Sequence, residues 1–351
     1  MSLVKRCFLC YLLENLTMKF HIKYNKFGNL FFFISNLSEW SPYCRKEYNE
    51  LWLKNKPLNK KESEALLGLK EILKKYKISN LMLSSSNERS AMGEVSKVIP
   101  KKDILALTNS LNIFSKRFDT LWKKEENNLT LIKREIEKVL SISNKLFPIV
   151  KILYNTKKTP KKVEILLFTS PIQKRLVSGG SGFGKNKIGI ECSKITKNNN
   201  QNQMLQRVVI HEIIHASFEV NLKEKIKKFI ESLYFKKKYE KLILKSRVYR
   251  QTHSIMGTAK EMILVSLIPE GYLAEKFFNL DVLKNLRERK CIKEGMLKKN
   301  YYDLMLYSIF KLYQTAKKYC ENKMQINENY IEDAIKCWIA FEKSNLKNFE
   351  I

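Results

Sequence analysis

The stretch Met204–Phe218, MLQRVVIHEIIHASF, decides how the chain is read. Its apolar residues recur all round a helical period and not along one stripe, which is the pattern of a helix buried on every side. Into that helix the sequence sets two of its four histidines, His211 and His215, with Glu212 directly after the first. Residues four apart lie a turn above one another on one face, so both imidazoles can point a nitrogen at a single zinc ion. Glu212 lies about 100 degrees round from His211 and reaches a water at that ion without ligating the ion itself. The competing reading is a pair of core histidines bonded to neighbours. Burying two imidazoles and a carboxylate together without partners is costly, which favours the metal.

Strands precede the helix. Val163–Thr169 is a short apolar run with β-branched residues between Pro160 and Pro171, and reads as a strand. Lys187–Ser193 alternates Ile188, Ile190 and Cys192 with smaller or polar residues, and reads as a second. SGGSGFG between them (residues 178–184) reads as a Gly-rich turn. It lacks the G-x-x-x-x-G-K-[ST] pattern and no helix follows it directly, so it is not expected to cradle a phosphate. KITKNNNQNQ (residues 194–203) reads as a polar linker into the motif helix.

HEIIH, its apolar surroundings and the preceding KIGIECS strand together resemble the zincin metallopeptidases, over roughly residues 163–278. The resemblance implies an α+β, mostly α fold: a zincin-like core with a small sheet and additional helices on both sides. It also implies hydrolysis of a peptide or protein substrate by a zinc-activated water, with Glu212 as general base. The metzincin branch adds a third histidine shortly downstream, and HASFEVNLK (residues 215–223) has none. The gluzincin branch remains, in which a glutamate on a later helix completes the site.

GTAKEMILVSLIPEGYLAEKFF, Gly257–Phe278, offers Glu261, Glu270 and Glu275 as that glutamate. Glu261 opens the apolar run EMILVSLI, and a buried carboxylate needs a cation, which makes Glu261 the favoured third metal ligand. Glu270 sits between Pro269 and Gly271 as at an exposed helix start, where the helix dipole would account for it. PEGYLAEKF is nevertheless similar to Glu-Gly-x-x-Ala segments of some gluzincins, so Glu270 stays open. Glu219, two turns beyond His211, is too far along the axis to share the ion. The family often stabilises the developing oxyanion with a His or Tyr, for which His253 and Tyr272 are the counterparts here.

At 351 residues the chain has room for two or three compact units. We expect a mostly helical region over 1–155, the zincin-like core over 156–280 and a helical region over 281–351. In the first, NKKESEALLGLKEILKKY reads as a helix with Leu66, Leu67, Leu69, Ile72 and Leu73 on one face, and residues 101–153 as further helices. KFHIKYNKFGNLFFFISNLSEW fits either a hairpin around Asn25–Asn29 or a helix from Leu30, and SSSNERSAMGEVSK reads as an exposed loop. NYYDLMLYSIFKLYQTAKKY and NENYIEDAIKCWIAFEK, near the C-terminus, carry apolar stripes suited to packing.

No run approaches the roughly 18 to 20 apolar residues of a membrane span, so no transmembrane segment is expected. KRCFLCYLL lacks a small-residue cleavage site and reads as an ordinary N-terminal segment. The seven cysteines are odd in number and scattered, unlike a disulfide framework, which suits a cytoplasmic protein; Cys7 and Cys10 read as packing residues.

The formal charge of +31 raises nucleic acid as a partner. The excess is carried by 55 Lys against 11 Arg and is spread over most helices, whereas phosphate and base readout favour the planar arginine fork. A basic helical nucleic-acid-binding protein with an inactive or structural metal site is therefore the second reading.

Overall fold

The computed structural model describes residues 18–42, 44–85, 87–157, 159–172, 176–195, 198–289, 292 and 297–344. The N-terminal segment with Cys7 and Cys10, and Cys291, lie outside these residues. Among them helices dominate and one four-stranded mixed sheet is present, so the chain is α+β and mostly α, as its patterning implied. It divides into two units. Of the described residues, one unit is built from those within 20–138 and 162–206, and the other from those up to 19 and within 139–161 and 207–344.

The first unit holds the sheet, with strands β1 (Lys19–Lys23), β2 (Lys162–Thr169), β3 (Val177–Gly182) and β4 (Lys187–Cys192) in the order β1-β2-β4-β3. β2 and β4 are the two strands legible in the sequence, and they run parallel with Ile165 beside Ile188 and Leu167 beside Ile190. β3 corrects the reading of the glycines as a turn. Its residues pair antiparallel with β4, and the reversal is confined to residues 183–186, where Gly184 and Asn186 adopt positive φ. Ladder bonds to a buried neighbour offset the entropy that glycine loses in a strand.

Three further expectations need correction in this unit. The ambiguous N-terminal segment is β1 followed by a helix that starts at Lys26 and not at Leu30, because the Asn25 side chain accepts from the Gly28 amide at 2.6 Å and caps it there. Glu88–Val95, expected as loop, is a helix whose Asn87 cap accepts from Ser90 N at 2.9 Å and whose Ala91 and Val95 are buried. Two buried positions in so short a stretch are too few to register as a period. Leu67 points to solvent although Leu66, Leu69, Ile72 and Leu73 are buried. Their helix, Lys60–Lys75, packs on the long helix Lys101–Glu137.

In the second unit the helices Ile255–Val265, Tyr301–Glu321 and Glu328–Lys343 pack on one another, and Val220–Glu231 packs on the first and third. The stripes read near the C-terminus are core: Leu304, Ile309 and Leu312 on one helix, Ile331, Ile335 and Trp338 on the next, each buried. Asn300 and Asn327 cap these two helices. The motif helix spans Asn199–Ser217, so it takes in the second half of the polar stretch expected as linker. No helix among the described residues is long and apolar enough to cross a membrane.

Candidate metal centre

The motif helix is as buried as its composition required. Val209, Ile210, Ile213 and Ile214 have no exposure, and even His211 and Glu212 are only 8% and 9% exposed. Such a helix holds its polar residues in fixed directions, because the apolar ones on every other side leave no freedom to rotate.

Three side chains converge on one point. His211 Nε2 and His215 Nε2 are 3.0 Å apart, and the Glu261 carboxylate lies 3.2 Å from the first through Oε1 and 2.9 Å from the second through Oε2. Zinc bonds of about 2.0–2.1 Å in a tetrahedron place neighbouring donors about 3.3 Å apart. The triangle is thus slightly tighter than a zinc ion needs, and its donor set of two imidazoles and a carboxylate is one zinc favours. Glu261 arrives from Ile255–Val265, a helix started by the Ser254 cap and buried along Met262–Val265.

The other imidazole nitrogens are held too. His211 Nδ1 is 3.0 Å from the Ile268 carbonyl, and His215 Nδ1 is 2.6 Å from Glu219 Oε1. Both oxygens accept a hydrogen bond from Nδ1–H, which turns Nε2 of each ring towards Glu261, where it would offer a lone pair to a metal once deprotonated. Glu219 is itself buried and is neutralised by Lys260 Nζ at 3.0 Å from Oε2, with Lys223 at 3.8 Å. The turn that presents the Ile268 carbonyl closes through Tyr272 N to Ser266 O at 3.0 Å and Leu273 N to Leu267 O at 2.8 Å. Gly271 permits that return, since a Cβ there would stand 2.0 Å from the Ser266 oxygen.

The electrostatics call for a cation. Burial pulls the His211 imidazole down, yet Glu261 more than offsets it and the ring titrates above its usual range. For His215 burial acts the same way and the bonds to Glu219 and Glu261 overcome it, raising the ring to about 9. Burial would raise Glu261, but the two imidazoles hold it well below the usual carboxylate range. The cluster therefore keeps positive charge between its carboxylates, a charge that a divalent ion would also supply.

Glu212 stands apart. No hydrogen bond to its carboxylate is made among the described residues, and burial raises its pKa, assisted by Glu261 and Glu219 and opposed by His211 and His215. A carboxylate that is buried, unbonded and less acidic than usual is equipped to accept a proton near neutral pH.

The other sequence candidates lie elsewhere. Glu270, just before the helix Tyr272–Phe278, pairs with Arg289, and Arg207 also acts on it. Glu275 accepts from the Tyr313 hydroxyl, and the buried Tyr272 hydroxyl donates to Glu321 at 3.0 Å. His253 is an exposed residue in the left-handed conformation at the end of helix Arg247–Thr252. Neither Tyr272 nor His253 bonds to the cluster. Glu219 is the participant that spacing undervalued: it is no ligand, but its i, i+4 relation to His215 was the available signal for the clamp. Compared with family models, curated proteins and solved structures, the chain matches none.

Proposed function

We propose that the chain is a zinc-dependent metallopeptidase of gluzincin type, with His211, His215 and Glu261 as the metal ligands and Glu212 as the general base. The observation that carries this reading is the convergence of two Nε2 atoms and one carboxylate within 3.2 Å, beside a buried carboxylate that makes no hydrogen bond among the described residues. Zinc bound there supplies Lewis acidity, polarising a substrate carbonyl and bringing the pKa of a water towards about 7. With His211, His215 and Glu261 holding the ion, Glu212 would take a proton from the attacking water as its oxygen adds to the substrate carbonyl, and would then deliver that proton to the amine as the C–N bond breaks. Glu219 and the Ile268 carbonyl orient the two imidazoles, and the apolar helix faces keep bulk water from competing for their protons. Tyr272 and His253 are the side chains proposed for the oxyanion.

The test is cleavage of a diverse peptide library by the full chain. Hydrolysis that stops on chelation of zinc and returns on its restoration is the expected result. Absence of cleavage by the zinc-loaded chain across the library would overturn the peptidase reading.

A further inference from the structure

Residues 220–250 concentrate two features that are dilute elsewhere. They contain eleven Lys and Arg against three Glu, whereas the whole chain holds 66 basic against 35 acidic residues in 351 positions. They also carry five of the thirteen exposed large hydrophobic side chains among the described residues: Val220, Leu233, Tyr234, Leu242 and Leu244, with Val220 and Leu233 more than 70% exposed. From these we infer that the face of Leu233–Leu244 that presents Leu233, Lys237, Lys241 and Leu244 docks onto an anionic phospholipid bilayer. The inference is independent of the metal centre.

The local fold explains how both features reach solvent together. Leu233–Phe235, a π-turn at Lys236–Glu240 and Lys241–Leu244 follow one another without a break. Phe235, Tyr239 and Ile243, four apart, are buried, while Leu233, Lys237, Lys241 and Leu244 are exposed. The Tyr234 and Tyr239 hydroxyls both donate to Glu332, and the Lys238 ammonium lies 4.7 Å and 5.1 Å from their ring centres. That network ties the segment to helix Glu328–Lys343 and makes it a fixed platform.

The chemistry of the exposed residues selects the partner. Nucleic acids are gripped by arginine forks and stacked aromatic rings. Here the exposed basic residues are seven Lys and two Arg, and four of the five apolar ones are aliphatic. Aliphatic side chains interleaved with lysines suit the headgroup region of a bilayer, where the chains enter the acyl boundary and ammonium groups meet lipid phosphates. Glu224, Glu231 and Glu240 are the opposing charges within the segment.

The test is sedimentation of the full chain with phosphatidylcholine vesicles, with and without phosphatidylserine. Binding only to the phosphatidylserine vesicles is expected. Leu233→Ser/Leu244→Ser keeps every charge and is expected to weaken that binding at least about tenfold, since each side chain loses its apolar burial. Lys237→Gln/Lys241→Gln/Lys245→Gln should weaken it too, and Lys101→Gln/Lys102→Gln/Lys116→Gln, an equal charge loss on the long helix, should not. All these positions are exposed, and circular dichroism checks that each variant is folded. No vesicle binding, an equal loss in both lysine variants, or indifference to the leucine pair would overturn the inference. Binding of single-stranded RNA with that same indifference would give the surface to nucleic acid instead.

Discussion

Glu212→Gln is expected to hold zinc as the wild type does and to lose peptide hydrolysis by about 10² to 10⁴, the range that a positioned general base contributes. The substitution keeps the side chain's size and removes its basic oxygen. Glu212 makes no hydrogen bond that the amide would break, and burial already disfavours its charged form, so the fold has little to lose from a neutral residue there. Zinc content and cleavage rate are measured on the same preparation. Cleavage retained with zinc retained would remove Glu212 from the mechanism. Zinc lost would make Glu212 part of the binding site itself.

Glu261→Ala is expected to lose most bound zinc, and Glu270→Ala to keep it. The Glu261 carboxylate is within 3.2 Å of both Nε2 atoms, and a catalytic zinc needs three protein ligands. Removing it takes away the third donor and the carboxylate that raises His211, and leaves His215 only its bond to Glu219, so the pair has weaker reason to gather a cation. Glu270 is paired with Arg289, and its loss removes that ion pair and leaves the His211, His215 and Glu261 donors in place. Titration of the zinc-free proteins with zinc separates the two. The reverse pattern would transfer the third position to Glu270.

The donor cluster was legible in the sequence because each step rested on local geometry. The i, i+4 spacing of His211 and His215 fixes one face of a helix, and the run EMILVSLI marks Glu261 as a carboxylate in an apolar helix, which no surface role explains. The strands β2 and β4 were legible for a similar reason, since β-branched runs bounded by Pro or Gly have few other homes. What escaped depends on partners remote in sequence. Glycines 179, 180 and 182 form a strand only because β4 lies beside them. The Arg289 partner of Glu270 is supplied 19 residues away, and the Ile268 carbonyl that holds His211 is 57 residues from it. Periodicity carries no record of such pairings. The short helix at Glu88–Val95 was missed because its Asn87 cap resembles any polar loop residue until the Ser90 amide is seen to donate to it.

The zinc content of the purified chain, set beside that of His211→Ala/His215→Ala, tests the central claim most directly. One zinc per wild-type chain and almost none in the double variant is the result this geometry predicts. A wild-type chain that takes up no zinc when offered it, or a double variant that holds as much as the wild type, would contradict it.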